Sequence, residues 1–335
     1  MKFGLLTYPE AAGEFLETAQ TAERAGFDLV GVADSQSLLQ ELHTSLGAAA
    51  HATETVELGP TVTNPVTRHP AVTAGALCTL DAHTGGRAVL GLASGDHGVR
   101  TLGLDPATLR DLRVFVERFR RLCAGETAEY EGESVELSWL DGPRDVPVIL
   151  TAEGPSTLGL AGAVADRALV GTGATEAVVD AALERVHAGA EKADRDPAAV
   201  ETWLYTRVAV TDGDGRHGGV DREQLLAAVA ASAHHALQFT FEGKAVPADH
   251  EAAIRTLLEE YDSGQHAGLG GSAANGRLVD RLGLADYLTE RFAVTGSAEA
   301  CRARLDGLAD HGVDGVLVNP VGDTAAFLDR FAAVD

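Results

Sequence analysis

Lysine is almost missing from this chain. Only Lys2, Lys192 and Lys244 carry that side chain among 335 residues, and 26 basic residues face 50 acidic ones, a formal charge of −24. A surface of that sign repels nucleic acid and anionic membranes, so neither is expected as a partner. A lysine-poor acidic surface suits a salt-rich cytoplasm, and a GC-rich genome that prefers arginine and alanine gives the same composition. Cysteine is equally sparse. Cys78, Cys123 and Cys301 are far apart, each inside an apolar helical pattern. They read as small core residues, which a reducing compartment fits, and not as a disulfide framework or metal cluster.

Other absences narrow the function. No apolar run reaches the length of a membrane span. The start, MKFGLLTYPE, runs straight into a strand pattern without a charged region, apolar region and cleavage site. A cytoplasmic protein is the expectation. There is no Gly-x-Ser-x-Gly elbow and no Gly-x-Gly-x-x-Gly opening a first βα unit, which disfavours a Rossmann-type nicotinamide enzyme. His234, His235 and His266 belong to no repeated carboxylate–histidine pair, and adjacent histidines on a helix point to different faces, so no metal is expected.

What is present is organised around residues 56–96. Val56 to Val62 and Arg87 to Ala93 are rich in aliphatic and β-branched residues, and the segment between them, from His69-Pro70, fits one helix. Strand, helix, strand implies a parallel sheet. Polar and small residues gather at the carboxyl end of each strand: Thr61, Val62, Thr63, Asn64 and Pro65 after the first, Ala93, Ser94, Gly95 and Asp96 after the second. Ligands sit at that end of an α/β sheet.

The same rhythm runs along most of the chain. Strands are expected at Phe3–Thr7, Phe27–Ala33, Pro147–Ala152, Asp166–Gly171, Trp203–Val210 and Gly315–Val318, with helices over Ala11–Ala25, Leu42–Thr53, Pro106–Cys123 and up to Phe331. EYEGESVELSWL, from Glu129, reads as an inserted β-hairpin. From about 212 to 285 the rhythm gives way to helices and the Gly-Ser stretch HAGLGGSAANG, an excursion of the kind that forms lids or substrate walls. About eight strands with intervening helices predict one domain, a (β/α)₈ TIM barrel carrying the hairpin and the late helical excursion.

Several residues could carry chemistry. Gly154-Pro155-Ser156-Thr157, after Glu153, lies where a strand becomes a helix, and Thr172-Gly173-Ala174-Thr175 repeats the arrangement one unit later. Each is either an ordinary helix cap or a helix N-terminus aimed at a phosphate. Asp34 either caps a helix or binds ligand. Arg68 could pair with an anionic ligand or cofactor, while His69 reads as a helix-start residue. Asp96 with His97 could donate a proton or bind substrate at the mouth, since a shielded carboxyl can hold its proton near neutral pH; the alternative is a loop aspartate capping the next turn.

TVTNPVTRHPAVTAGALCTLDAHTGGRAVLGLASGD resembles the bacterial-luciferase-like superfamily of flavin and deazaflavin oxidoreductases, in the branch that contains methylenetetrahydromethanopterin reductase. LTAEGPSTLGLAGAVADRALVGTG is similar to the same family over its whole length. The resemblance implies a coenzyme F420-dependent oxidoreductase moving a hydride between the deazaflavin and a small organic substrate, with a methylene-tetrahydropterin as the most specific choice. FMN is the alternative cofactor, in a monooxygenase, and a non-catalytic flavin-binding relative is the alternative of another class. It implies phosphate binding at Gly154, Pro155, Thr172 and Gly173, ring contacts at Asp34, and a cis peptide at Thr61–Val62 behind the central ring, where it would favour a bent ring. Asp34 and Asp96 become the catalytic candidates, and Arg68 and His97 the substrate candidates. It further implies a homodimer or higher homo-oligomer. Two departures stand out: Ser35 replaces the histidine common after that aspartate, and Leu5-Leu6-Thr7 stands where the reductase has a glutamate near the ring.

Overall fold

The computed structural model of the chain describes residues 1–211, 220–262 and 273–332. His266 and part of the Gly-Ser stretch lie outside the described residues. Among the described residues there are eleven strands: β1 (Lys2–Thr7), β2 (Leu29–Val32), β3 (Glu57–Pro60), β4 (Leu90–Leu92), β5 (Ala128–Tyr130), β6 (Glu133–Val135), β7 (Val148–Ala152), β8 (Arg167–Val170), β9 (Glu201–Val210), β10 (Ala293–Gly296) and β11 (Gly315–Pro320). Eight of them pair in parallel in the order β3-β2-β1-β11-β9-β8-β7-β4. The bridges Leu58 to Ala88 and Thr63 to Leu92 join β3 to β4 and close the ring. This is the predicted barrel. β10 is a ninth member that pairs with β9 alone, and β5 and β6 form the separate antiparallel hairpin.

Alternation builds the barrel interior. Every second residue of a strand points inward, and Leu6, Leu29, Val89, Ile149, Leu169, Trp203 and Leu317 meet there as one buried cluster. Trp203 fills the floor because Gly4 and Gly315 leave it room: a Cβ on Gly315 would stand 2.5 Å from the indole. Beneath it, Arg167 donates to Glu57 at 2.5 and 2.8 Å, and the Trp203 indole nitrogen donates to Glu201 at 3.0 Å. The bottom is therefore plugged, and open space remains only toward the carboxyl ends of the strands.

Outside the strands, helices bury one apolar stripe each. The helix Leu109–Cys123 buries Leu112, Phe115, Val116, Phe119, Leu122 and Cys123, at the spacing of one helix face, and begins with a Thr108–Asp111 capping box. It starts at Leu109 and not at the expected Pro106, because Thr108 is extended and caps it. The helices Arg222–Leu237, Glu251–Glu260, Ala273–Arg281 and Ala285–Phe292 form the excursion, around a core of their own that reaches the barrel at Ala209, Ala293 and Val321. Leu288 and Phe292 belong to that core, so the excursion runs on to Phe292. Among the described residues no helix is long and apolar enough to cross a membrane.

Candidate functional site

A cavity of about 1100 Å³ opens at the carboxyl ends of the strands, larger than most single-ligand pockets. Two of its walls are the ones the sequence singled out: Thr61, Val62, Thr63 and Asn64 after β3, and Ala93, Ser94, Gly95, Asp96 and His97 after β4. Asp34 and Glu153 also line it. Gly154, Pro155, Thr172, Gly173 and Arg68 do not belong to its wall.

The β3 wall is tied together locally. Regular pairing of β3 stops at Pro60, two residues short of the expected Val62, and the Thr61–Val62 peptide is cis, as the resemblance implied. Thr63 then resumes pairing by donating to the Gly91 carbonyl at 2.9 Å. The Thr61 side chain occupies the space over Gly31, where a Cβ would lie 2.0 Å from its hydroxyl oxygen. Asn64 accepts from the backbone of Val66 and Thr67 at 3.0 and 2.9 Å, which shapes the turn.

Asp34 is neither a helix cap nor an open acid. Its carboxylate, 4% exposed, is held by the Arg68 guanidinium and by the Thr63 hydroxyl at 2.6 Å. Arg68 thus reaches the ligand space only through Asp34, and also lies 3.4 Å from Glu41. His69 caps the helix Pro70–Thr84, accepting from the Ala71 amide.

The β4 wall carries Asp96, His97 and their partners. Asp96 makes no side-chain cap; Arg100 donates to it at 2.8 Å, and His235 of the excursion stands 3.7 Å away. His97 shares a 2.7 Å hydrogen bond with Ser35, the residue that replaces the family's histidine. His234, adjacent to His235, stacks instead on Tyr261 at 4.2 Å. Among the described residues no group of histidine, cysteine and carboxylate side chains could hold a metal ion.

Glu153 is strongly changed by its surroundings. Burial pushes its carboxyl up to about 7, Lys244 pulls against that rise and Asp96 adds to it. Lys244 comes from the excursion, donates to the Ala236 carbonyl, and is itself lowered to about 8 by burial, with Glu153 opposing and Arg291 assisting. After Glu153 the helix Pro155–Val164 starts with proline and no side-chain cap, which leaves its N-terminal N–H groups open. The second expected cradle packs against Arg291, while the buried Thr172 hydroxyl has no hydrogen-bond partner among the described residues. Arg291 donates to the Thr172 carbonyl at 3.0 Å, and a Cβ on Gly173 would strike the Arg291 side chain at 2.7 Å.

The residues that sequence reasoning missed lie across the mouth. Tyr8, Tyr205, Arg207 and Asn319 line the cavity. The Asn319 amide nitrogen donates to Tyr8 at 2.7 Å and to Tyr205 at 2.8 Å. A signal existed in the period-two series Trp203, Tyr205, Arg207, which reads as a strand with one face turned to polar space.

The chain matches the family model described as luciferase-like monooxygenase over residues 1–315. It is 28% identical to a 5,10-methylenetetrahydromethanopterin reductase of Methanolobus tindarius, covering 96% of this chain and 95% of that protein. It is 32% identical to an F420-dependent glucose-6-phosphate dehydrogenase of Nakamurella multipartita over 62% of this chain and 68% of that one. Among solved structures, the coenzyme F420-dependent tetrahydromethanopterin reductase of Methanopyrus kandleri superposes with a TM-score of 0.76 at 22% identity, covering 99% of this chain and 97% of that one.

Proposed function

The chain belongs to the luciferase-like monooxygenase family, and on that premise we propose that it is an oxidoreductase that uses coenzyme F420 as its hydride carrier, acting on a small organic substrate of the methylene-tetrahydropterin class. The observation that carries the reading is one cavity that runs from the Thr61–Asn64 wall to Glu153, the residue just before the uncapped helix start at Gly154 and Pro155. That span suits an elongated cofactor with a ring at one end and a phosphate toward the other. The residues present fit it: the buried hydroxyls of Thr61 and Thr151, both in cavity-lining residues, have no hydrogen-bond partner among the described residues. Buried polar groups are ordinarily satisfied, so these two are suited to a ligand.

When bound, the deazaflavin supplies the redox step. The chain's own residues bind and orient. Thr61, Val62, Thr63 and Asn64, together with Ala93, Ser94 and Gly95, line the space that would hold the ring. Asp34, fixed by Arg68 and Thr63, offers an oriented acceptor. Gly154 and Pro155, just beyond the Glu153 wall, would offer their helix end to the phosphate, whereas Thr172 and Gly173 act indirectly, by holding Arg291. Glu153, near neutrality, can keep or release a proton at its carboxyl oxygen around pH 7. Asp96, paired with Arg100, and His97, aligned by Ser35, face the substrate side. Leu6 and Thr7 line the cavity in the Leu5-Leu6-Thr7 segment, where the resemblance implied a glutamate and this chain has none, so proton handling rests on Glu153 or Asp96. The reading extends to a cytoplasmic homodimer, which sedimentation equilibrium tests.

The deciding experiment is equilibrium binding of oxidised F420 and of FMN in parallel, at low and high salt, followed by hydride transfer to methylenetetrahydromethanopterin and methylenetetrahydrofolate. Binding of F420 with FMN at least about tenfold weaker, a difference of about 1.4 kcal/mol, is expected. Preference for FMN would replace the reading with oxygen-dependent chemistry, and F420 binding without turnover of any substrate would leave a cofactor-binding relative.

A further inference from the structure

We propose that Tyr8, Tyr205 and Arg207, aligned by Asn319, form the subsite that grips a carboxylate of the substrate. This deepens the oxidoreductase reading and rests on it for the identity of the cofactor. Three neighbouring strands build the subsite by one rule. β1, β11 and β9 each place an apolar residue in the barrel plug, Leu6, Leu317 and Trp203. Two residues further on, each places a polar one in the cavity: Tyr8, Asn319 and Tyr205. On β9 the alternation continues once more, to Arg207.

Asn319 is 2% exposed and spends its amide nitrogen on both phenol oxygens. Each phenol accepts from Asn319, and the two hydroxyls also hydrogen-bond to each other, which leaves one O–H for another partner. Arg207 stands beside them, with its guanidinium carbon 5.6 Å from the centre of the Tyr205 ring. Its Nε donates to Ser232 at 3.3 Å. Among the described residues, no carboxylate lies within ion-pair distance of Arg207. Arg100, which also lines the cavity, and Arg68 behind the wall do have such partners, in Asp96 and Asp34. In a chain with 50 acidic residues, a half-buried cation left without one is set for an anion from outside, because a guanidinium removed from water costs free energy unless it is paired. Its planar fork matches the two oxygens of a carboxylate, and the one phenol O–H left over adds a further donor.

Position separates this subsite from the cofactor walls. In the closed strand order, β9 and β11 stand diametrically opposite β3 and β4, so a carboxylate held here would extend its carbon skeleton across the mouth toward Thr61–Asn64 and Ala93–Gly95.

The test is calorimetric titration of the full-length protein, with and without F420, using benzoate and succinate and their neutral amides benzamide and succinamide. The expected result is binding of a carboxylate about tenfold or more tighter than its amide, in line with a charge-assisted pair. Arg207→Gln should abolish that preference, Arg207→Lys should restore part of it, and Tyr8→Phe and Tyr205→Phe should each weaken carboxylate binding about fivefold. F420 affinity should change less than about twofold in all four variants. Equal binding of acids and amides, no binding of either, or retention of the preference in a folded Arg207→Gln protein would overturn the proposal. So would a loss of F420 affinity of about tenfold in that variant, which would assign the cation to the cofactor. Wild-type protein that binds the carboxylates but not F420 would instead overturn the cofactor reading and leave the subsite standing.

Discussion

Asp34 and Arg68 form an ion pair at the edge of the cavity, with the aspartate side chain 4% and the arginine 18% exposed. The aspartate follows β2 and the arginine precedes the helix Pro70–Thr84, so one pair locks two successive βα loops and fixes the carboxylate that the cavity presents.

Removing the arginine alone should therefore be worse than removing the pair. Arg68→Ala leaves a buried carboxylate with only Thr63 as partner, and should cost about 3 kcal/mol, whereas Asp34→Asn with Arg68→Met should cost distinctly less. Urea unfolding of the single and double variants measures the difference. Additive losses would mean that the pair does not couple.

Glu153 should make stability fall as pH rises. Its folded value, raised by burial to about 7 from 4.5, means that its contribution is complete below about pH 4.5 and is lost as pH rises through 7. The displacement corresponds to at most about 3 kcal/mol. Glu153→Gln should flatten the fall in urea midpoint between pH 5 and 7.5. An unchanged slope in the variant would assign the fall to other groups.

Arg291 staples the excursion to the barrel. Its side chain is 1% exposed and donates to the carbonyls of Thr172 and Lys244 at 3.0 and 2.6 Å and to the Tyr287 hydroxyl at 2.8 Å. Each buried acceptor left unsatisfied costs about 1–3 kcal/mol, so Arg291→Ala should lose about 3 kcal/mol or more. Limited proteolysis should cut the excursion of the variant before the barrel; simultaneous cleavage would count against a stapling role.

The floor of the barrel depends on one indole. Trp203→Ala should cost about 3–5 kcal/mol through the cavity it leaves. Gly315→Ala, which adds a methyl where only 2.5 Å is free, should destabilise by about 1–3 kcal/mol through overpacking. Thermal unfolding of the two variants checks both, and a neutral Gly315→Ala would show that the indole can move aside.

By itself the sequence determined the repeating strand–helix pattern and with it the barrel, because period-two and helical periodicities are local properties that each segment carries alone. It also marked the β3 and β4 ends, where Thr61–Asn64 and Ala93–Asp96 cluster small and polar residues within a few positions. The resemblance, not the pattern, supplied the Thr61–Val62 cis peptide, since no composition encodes it. Tertiary structure alone decided what Arg68 does, turning it from the ligand to Asp34, and closed the Thr172–Gly173 loop against Arg291, a residue 119 positions away. It also assembled the far wall. Tyr8 and Asn319 stand 311 residues apart and meet only because the ring closes β1 onto β11, a pairing between distant strands that no local periodicity specifies.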